Sequence, residues 1–189
     1  MKTIQLGNTH LEVPQVALGC MRMSGLSVKD ASKVVEVSLE EGINFFDHAD
    51  IYGGGESEAL FAKAVKELSV PREDLIIQSK CGIRDGFYDF SKEHIISSVE
   101  GILKRLETDY LDVLALHRPD SLMEPEEIAE AFDILQSQGK VRYFGVSNQN
   151  PMQMELIEKS ISQKLVVNQL QFGLKHAGMV AYGMNNNME

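Results

Sequence analysis

The sequence is short of cysteine, of positive charge and of long apolar runs. Its 189 residues include only two cysteines, Cys20 and Cys81, which do not make a disulfide framework, so a reducing cytoplasm is expected. Lysine and arginine number 18 against 28 acidic residues, which argues against nucleic acid or an anionic membrane as the main partner. No apolar run is long enough to span a bilayer, and the first residues lack the apolar region of a secretory signal.

Apolar runs of strand length alternate with segments of helical period. Strands are predicted at residues 16–21, 44–49, 75–80, 110–117, 141–147 and 165–170. Most of these runs are continuously apolar and end in a polar residue, as parallel strands covered on both faces do. The stripe of Ile95, Val99, Ile102 and Leu106 is typical of the amphipathic helices between them. A small hairpin is expected before the first unit, where residues 3–7 and 11–15 flank a turn.

The ends of these elements carry boundary signals. Asn150 and Pro151 supply an N-cap followed by proline at the first helical position, and Gly42 and Gly139 stand where helix C-caps need positive φ. Strand starts recur at intervals of about 30 residues, the size of one βα unit. No linker interrupts the pattern, so residues 1–189 are expected to form one domain.

Repeated βα units fit either an open doubly wound sheet or a closed (β/α)₈ barrel. A doubly wound dinucleotide-binding sheet would usually show G-x-G-x-x-G after its first strand, but this strand ends Leu18-Gly19-Cys20-Met21. The Gly53–Gly55 run follows the second strand and is too short and misplaced for a phosphate loop. An α/β fold of the TIM-barrel type is therefore favoured.

Polar residues stand at the carboxyl ends of the predicted strands, on the face that holds the site in barrel enzymes. A lysine ammonium stabilises the phenolate form of a neighbouring tyrosine, while an aspartate orients the lysine and balances its charge. A histidine alongside can hydrogen-bond a substrate carbonyl, so the group can protonate an oxygen as hydride arrives at carbon. The residues that could do this are Asp47, Tyr52, Lys80 and His117, and those that suit a ligand carboxamide are Ser147, Asn148 and Gln169.

These residues lie in segments that resemble the aldo-keto reductase superfamily. The segments are residues 42–65, 76–80, 111–120, 139–148 and 166–172, and the first contains an Asp-x-Ala-x-x-Tyr-Gly run followed by Glu. The resemblance runs from the hairpin to about Gln171. It covers the N-terminal two thirds to three quarters of the family barrel.

The resemblance implies a role for each matching residue. Tyr52 would be the general acid, tuned by Lys80 and Asp47, and His117 would orient the carbonyl. The nicotinamide carboxamide would be bound by Ser147, Asn148 and Gln169, with Gly19, Cys20 and Met21 in the loop that passes the cofactor. The family usually uses NADPH and reduces aldehydes and ketones, so NADP(H) and a small carbonyl compound are the expected ligands.

Two other readings of polar residues at strand ends are set aside. Asp47, His48 and Asp50 could suggest a metal site, but adjacent residues of a strand point to opposite faces, so no metal is expected. Cys20 and Cys81 are expected to be free thiols near the pocket.

The pattern departs from the family after the sixth strand. A (β/α)₈ barrel needs eight strands, and no seventh is predicted in the sixteen residues from Leu174 to Glu189. The expected architecture is thus a barrel truncated after six βα strands, lacking the family's later cofactor-binding segments. Its exposed edges favour a homo-oligomer. Three functions stay open: an NADP(H)-dependent carbonyl reductase, a catalytically silent regulatory protein like the channel subunits of this fold, and an inactive fragment.

Overall fold

The computed structural model describes residues 1–181 and shows a parallel sheet with helices on its outer face. The strands are β1 Thr3–Gln5, β2 Glu12–Pro14, β3 Leu18–Gly19, β4 Phe45–Asp47, β5 Ile76–Cys81, β6 Ile83–Arg84, β7 Phe87–Tyr88, β8 Leu111–Leu116, β9 Val141–Ser147 and β10 Leu165–Gln169. The helices are α1 Val28–Glu40, α2 Glu56–Leu68, α3 Lys92–Leu106, α4 Pro125–Ser137, α5 Pro151–Glu158 and α6 Gly178–Ala181. Within this part of the chain, no helix has the length and apolar character needed to cross a membrane.

Six strands form the main sheet in the order β10-β9-β8-β5-β4-β3, and every neighbouring pair is parallel. The order follows the chain, with one helix between most successive strands. This is the arrangement that repeated right-handed βα units produce. The carboxyl ends of the six strands therefore lie along one rim of the sheet.

The sheet is curled into a half-barrel. Gln169 on β10 donates from Nε2 to Asp47 Oδ2 on β4 over 3.1 Å, although three strands separate them in the sheet. In a flat sheet those two strands would be about 19 Å apart. The curl brings the inward side chains of both halves together at the rim.

The N-terminal hairpin closes the opposite, lower end of the half-barrel. Strands β1 and β2 pair antiparallel, as the sequence predicts. Buried Val13 on β2 packs in one cluster with Phe45 and Ile76, the first residues of β4 and β5, and with the half-buried Leu6 and Leu11. The hairpin thus covers apolar side chains at the start of two central strands.

The main core lies between the sheet and the helices. Phe46, Ile77, Leu114 and Phe144 belong to one buried cluster with apolar residues of α1 to α5. Phe144 stacks on Phe132 of α4, with ring centroids 3.9 Å apart. Because residues alternate along a strand, this outward set leaves Asp47 and Lys80 pointing inward.

Most predicted boundaries agree with the structure. Asn150 caps α5 in a full capping box with Gln153, and Pro151 occupies the first turn. Gly42 and Gly139 both adopt positive φ, at 76° and 71°, directly beyond α1 and α4. The β6–β7 hairpin was not predicted, because each strand has only two residues.

The segment after β10 contains an isolated bridge between Gly173 and His176 and the short helix α6. The prediction that no seventh strand follows falls partly on residues 182–189, which lie outside the described residues.

Candidate active site

The half-barrel rim brings together the four ionisable residues predicted from the sequence. Asp47 ends β4, and the chain then bends so that Tyr52 begins a short 3₁₀ helix through Gly55. Gly53, Gly54 and Gly55 all have positive φ, which lets the chain reverse directly after Tyr52 and enter α2. Tyr52 is half-buried at the rim.

Lys80 connects Asp47 to Tyr52. The residue is 1% exposed, and its Nζ donates to Asp47 Oδ1 at 2.6 Å and to the carbonyl oxygen of His48 at 2.7 Å. The third contact of Nζ is the Tyr52 hydroxyl oxygen at 3.3 Å. An ammonium group has three protons, so two are held by the strand and the third is directed at the tyrosine.

His117 lies on the other side of Tyr52. The two rings meet edge to face, with centroids 6.0 Å apart and an interplanar angle of 81°. Burial, reinforced by the positive charges of Lys80 and Arg118, lowers the pKa of His117 to about 4. The imidazole is therefore neutral at pH 7, with one N–H available as a donor.

The three amide and hydroxyl residues meet at the ends of β9 and β10. Ser147 Oγ donates to the backbone carbonyl of Gln169 at 2.9 Å, and Asn148 Nδ2 donates to Ser147 Oγ at 2.8 Å and to the carbonyl oxygen of His117 at 3.2 Å. The side-chain amide of Gln169 faces Asp47 rather than Ser147. Hydroxyl and amide groups so placed offer both donors and acceptors, so their chemistry fits a carboxamide.

The segment at the end of β3 borders this cluster. The Cys20 backbone N–H donates to the Asp47 carbonyl oxygen at 2.9 Å, which ties the segment to β4. Gly19 and Met21 are exposed, and no atom lies within 4 Å of the point where a Cβ on Gly19 would stand. Cys20 is 1% exposed and its thiol faces the Leu18 carbonyl, so Gly19 and Met21 are the exposed residues of this segment.

Both thiols are free but buried. Burial raises the pKa of Cys20 and of Cys81, so neither is present as a reactive thiolate near neutral pH.

A second polar cluster lies behind the rim, between the sheet and the helices. Glu58 of α2 is fully buried, accepts from Ser79 Oγ at 2.6 Å and pairs with Arg105 Nε of α3 at 2.7 Å. Asp50 lies nearby, and burial with the Glu58 charge raises its pKa to about 7. Among the described residues, no three His, Cys, Asp or Glu side chains are grouped so that they could hold a metal ion.

Sequence reasoning missed Gln78, whose side-chain amide contacts both Asp47 and Gln169. A signal was present: Gln78 stands two residues before Lys80 in a strand that is otherwise mostly apolar, so alternation places both on the inner face. The Glu58–Arg105 pair carried no such signal, because its partners lie on different helices.

Comparison with known proteins identifies the family. The profile of the Aldo/keto reductase family matches residues 15–188, and the chain belongs to this family. It is 43% identical over 183 residues to the uncharacterized oxidoreductase YcsN of Bacillus subtilis, covering 90% of this chain and 61% of that protein. It is 36% identical to the 6-dehydroglucose reductase of Agrobacterium fabrum, covering 92% of this chain and 63% of that protein.

Solved structures agree with the fold. The holo form of aldo-keto reductase AKR11C1 from Bacillus halodurans superposes with a TM-score of 0.84 at 32% identity, covering 97% of this chain and 62% of that one. The chain thus spans about 60% of the length of these three relatives. The comparisons thus show a member of the Aldo/keto reductase family with a half-barrel α/β fold.

Proposed function

We propose that the protein containing this chain reduces a small aldehyde or ketone to the alcohol with NADPH. The observation that carries this proposal is the chain of contacts from Asp47 through Lys80 Nζ to the Tyr52 hydroxyl, with neutral His117 beside it. This arrangement places a proton donor, the Tyr52 hydroxyl, at one point of the rim, and a neutral hydrogen-bond donor, the His117 imidazole, beside it.

Each side chain has a distinct part in this reaction. His117 donates its N–H to the substrate carbonyl oxygen and so orients it toward the tyrosine. Tyr52 gives its hydroxyl proton to that oxygen, and the phenolate left behind is stabilised by the Lys80 ammonium at 3.3 Å. Asp47 holds the ammonium in place and balances its charge at 2.6 Å.

The donors and acceptors of Ser147, Asn148 and Gln169 would hold the nicotinamide carboxamide, with Gly19, Cys20 and Met21 lining its path. The chemistry that NADPH would supply when bound is the hydride for the carbonyl carbon. The choice of NADPH over NADH rests on the family resemblance. Small carbonyl compounds are the proposed substrates, and 6-dehydroglucose belongs in any panel because a relative is named for reducing it.

The proposal is tested by following NADPH absorbance with a panel of aldehydes and ketones. We expect turnover by the wild type, and a loss of kcat of about 100-fold or more in Tyr52→Phe, which removes the proton donor. Tyr110→Phe is the matched control, since Tyr110 lies at the start of β8, at the other end of the strands, between the guanidinium groups of Arg72 and Arg142. The control should keep wild-type kcat.

The other two functions give different results in the same experiment. Binding of NADPH, seen as a change in its fluorescence, without turnover of any carbonyl would favour a silent regulatory protein. Absence of both binding and turnover would refute the reductase proposal for the 189-residue chain. We also propose that the protein works in the cytoplasm, on the basis of its two free cysteines and acidic composition.

A further inference from the structure

Gln78 is a buried amide in the interior of the half-barrel, one layer below Lys80. It is 3% exposed and stands on the same face of β5 as Lys80, two residues earlier. Its Nε2 donates to Asp47 Oδ1 at 2.7 Å and to Gln169 Oε1 at 3.1 Å. Both amide hydrogens of Gln78 are therefore used, one toward the carboxylate and one toward the other amide.

Gln78, Asp47 and Gln169 form a closed ring of hydrogen bonds across the half-barrel. Gln169 Nε2 donates to Asp47 Oδ2 at 3.1 Å, which completes the ring. A carboxylate only accepts, so both amide NH₂ groups must face Asp47, and the Gln169 oxygen is then left to accept from Gln78. The orientation of all three groups is fixed by this constraint.

The hydrogen-bond ring fixes the position of the Asp47 carboxylate relative to the Lys80 ammonium. Asp47 Oδ1 accepts from Gln78 at 2.7 Å and from Lys80 at 2.6 Å, so the two donors share one oxygen. Without Gln78, the carboxylate loses a neutral donor and gains freedom to rotate. The Asp47 carboxylate and the His48 carbonyl together direct the Lys80 ammonium at Tyr52. Without Gln78, the carboxylate would no longer hold the ammonium in one fixed position.

We propose that Gln78 is a positioning residue for the proton-donating group. It holds the Asp47 carboxylate in the position that keeps the third N–H of Lys80 directed at the Tyr52 hydroxyl oxygen. This rests on the proposed carbonyl reductase function. Gln169 also holds Asp47, because its side-chain amide donates to Asp47 and accepts from Gln78. When a carboxamide engages Gln169, Gln78 keeps Asp47 in place through its own bond.

Two substitutions at Gln78 separate hydrogen bonding from packing. Gln78→Met keeps the length of the side chain and removes both donors, so kcat should fall about tenfold, the order expected when a hydrogen bond to a charged group is lost. The KM for NADPH should change little. Gln78→Glu should regain activity as the pH falls, because the protonated carboxyl can donate to Asp47 again, and lose it as the pH rises.

Val113 provides the matched control, since it is the β8 neighbour in register with Gln78 and is fully buried. Val113→Ala removes packing in the same layer without touching Asp47. We expect a lower melting temperature for this variant, but a pH profile of kcat with the wild-type shape. A role of Gln78 in packing alone would make Gln78→Met behave in the same way.

A readout without turnover keeps this proposal separate from the proposed function. In protein labelled with ¹³C at the lysine ε carbons, the Lys80 signal is identified by its loss in Lys80→Met. In Gln78→Met this signal should shift, because the Asp47 carboxylate beside the ammonium moves, whereas Val113→Ala should leave it unchanged. An unshifted Lys80 signal in Gln78→Met would overturn the role of Gln78 even in an active enzyme. Absence of turnover by the wild type would refute the reductase function and leave the Lys80 comparison intact.

Discussion

His48 is a fully buried imidazole on the outer face of the sheet, next to the inward-pointing Asp47. Its ring packs edge-on against Phe61 of α2 at 4.6 Å between centroids, and neither ring nitrogen has a partner among the described residues. Burial lowers its pKa to about 3, so the folded protein holds the neutral form. The unfolded chain takes up this proton first as the pH falls, and the stability contributed by neutral His48 is lost from about pH 6.5 downward.

Replacing this imidazole should therefore reduce the acid sensitivity of the protein. Between pH 7 and pH 5 the group costs about 2 kcal/mol of the free energy of unfolding, and His48→Phe should remove that share. The measurement is urea unfolding of wild type and variant at both pH values. The difference between the two proteins isolates this group from His117, which acts in the same direction, and from Asp50, whose raised pKa acts in the opposite one.

The exposed His10 gives the control, since His10→Gln also removes one imidazole. It should show the wild-type difference between the two pH values. An equal pH dependence in His48→Phe and wild type would contradict a neutral buried His48.

Only some of the contacts in the candidate site could be predicted from the sequence. Asp47, Lys80 and His117 could be predicted because they end strands, and parallel strands place their ends on one rim. The commitment of the Gln169 amide to Asp47 could not be predicted. It depends on how tightly the sheet curls, and curvature is a property of all six strands together.

Two ion pairs of different burial join α2 to α3 and to Glu107, the residue directly after α3. Glu58 and Arg105 meet with side-chain exposures of 0% and 31%, whereas Lys66 and Glu107 meet at 76% and 53%. Arg105→Met leaves the Glu58 carboxylate buried with Ser79 as its remaining side-chain partner. We expect a loss of about 2 to 3 kcal/mol in the free energy of unfolding, somewhat less than for a fully buried pair because Arg105 is partly exposed.

The exposed Lys66–Glu107 pair is the control. Lys66→Met should change the free energy of unfolding by less than about 0.5 kcal/mol, since exposed pairs are weak. Urea unfolding of both variants at pH 7 and moderate salt measures the contrast. Equal losses in the two variants would show that the buried Glu58–Arg105 pair contributes no more to the free energy of unfolding than the exposed pair.

At the scale of elements, the helices were predicted more closely than the strands. The apolar stripe that predicted α3 lies within Lys92–Leu106, and the signal at Asn150-Pro151 gave the start of α5. Residues 16–21 were predicted as one strand, yet β3 contains only Leu18–Gly19. The chain bends before this strand at Gln15 and Val16 and enters a turn at Met21, directly after the Cys20 N–H donates to the Asp47 carbonyl oxygen.

The whole molecule presents sheet edges at β3 and β10, which have one partner strand each among the described residues. Open edges of this kind favour pairing with another chain. Self-association of the 189-residue chain is therefore expected, and sedimentation equilibrium should show an average mass that rises with concentration. Val166→Lys places a charge on β10 and should lower that mass.

The control for the edge is the same change on a helix. Val37 of α1 is 41% exposed, and Val37→Lys should associate like the wild type. A monomer mass for the wild type at all concentrations would contradict self-association through the edges.

The contact between Asp47 and Gln169 joins residues 122 positions apart in the chain. Tyr52 and Lys80 have already been made when β4 and β5 leave the ribosome. The hydrogen bond from Gln169 to the Asp47 carboxylate can form only after β10 has been synthesised. Contacts of such long range form late and slow the search for the native state. The rim that carries Tyr52 and Lys80 thus cannot complete its hydrogen bonds until β10 has been synthesised and has paired with β9.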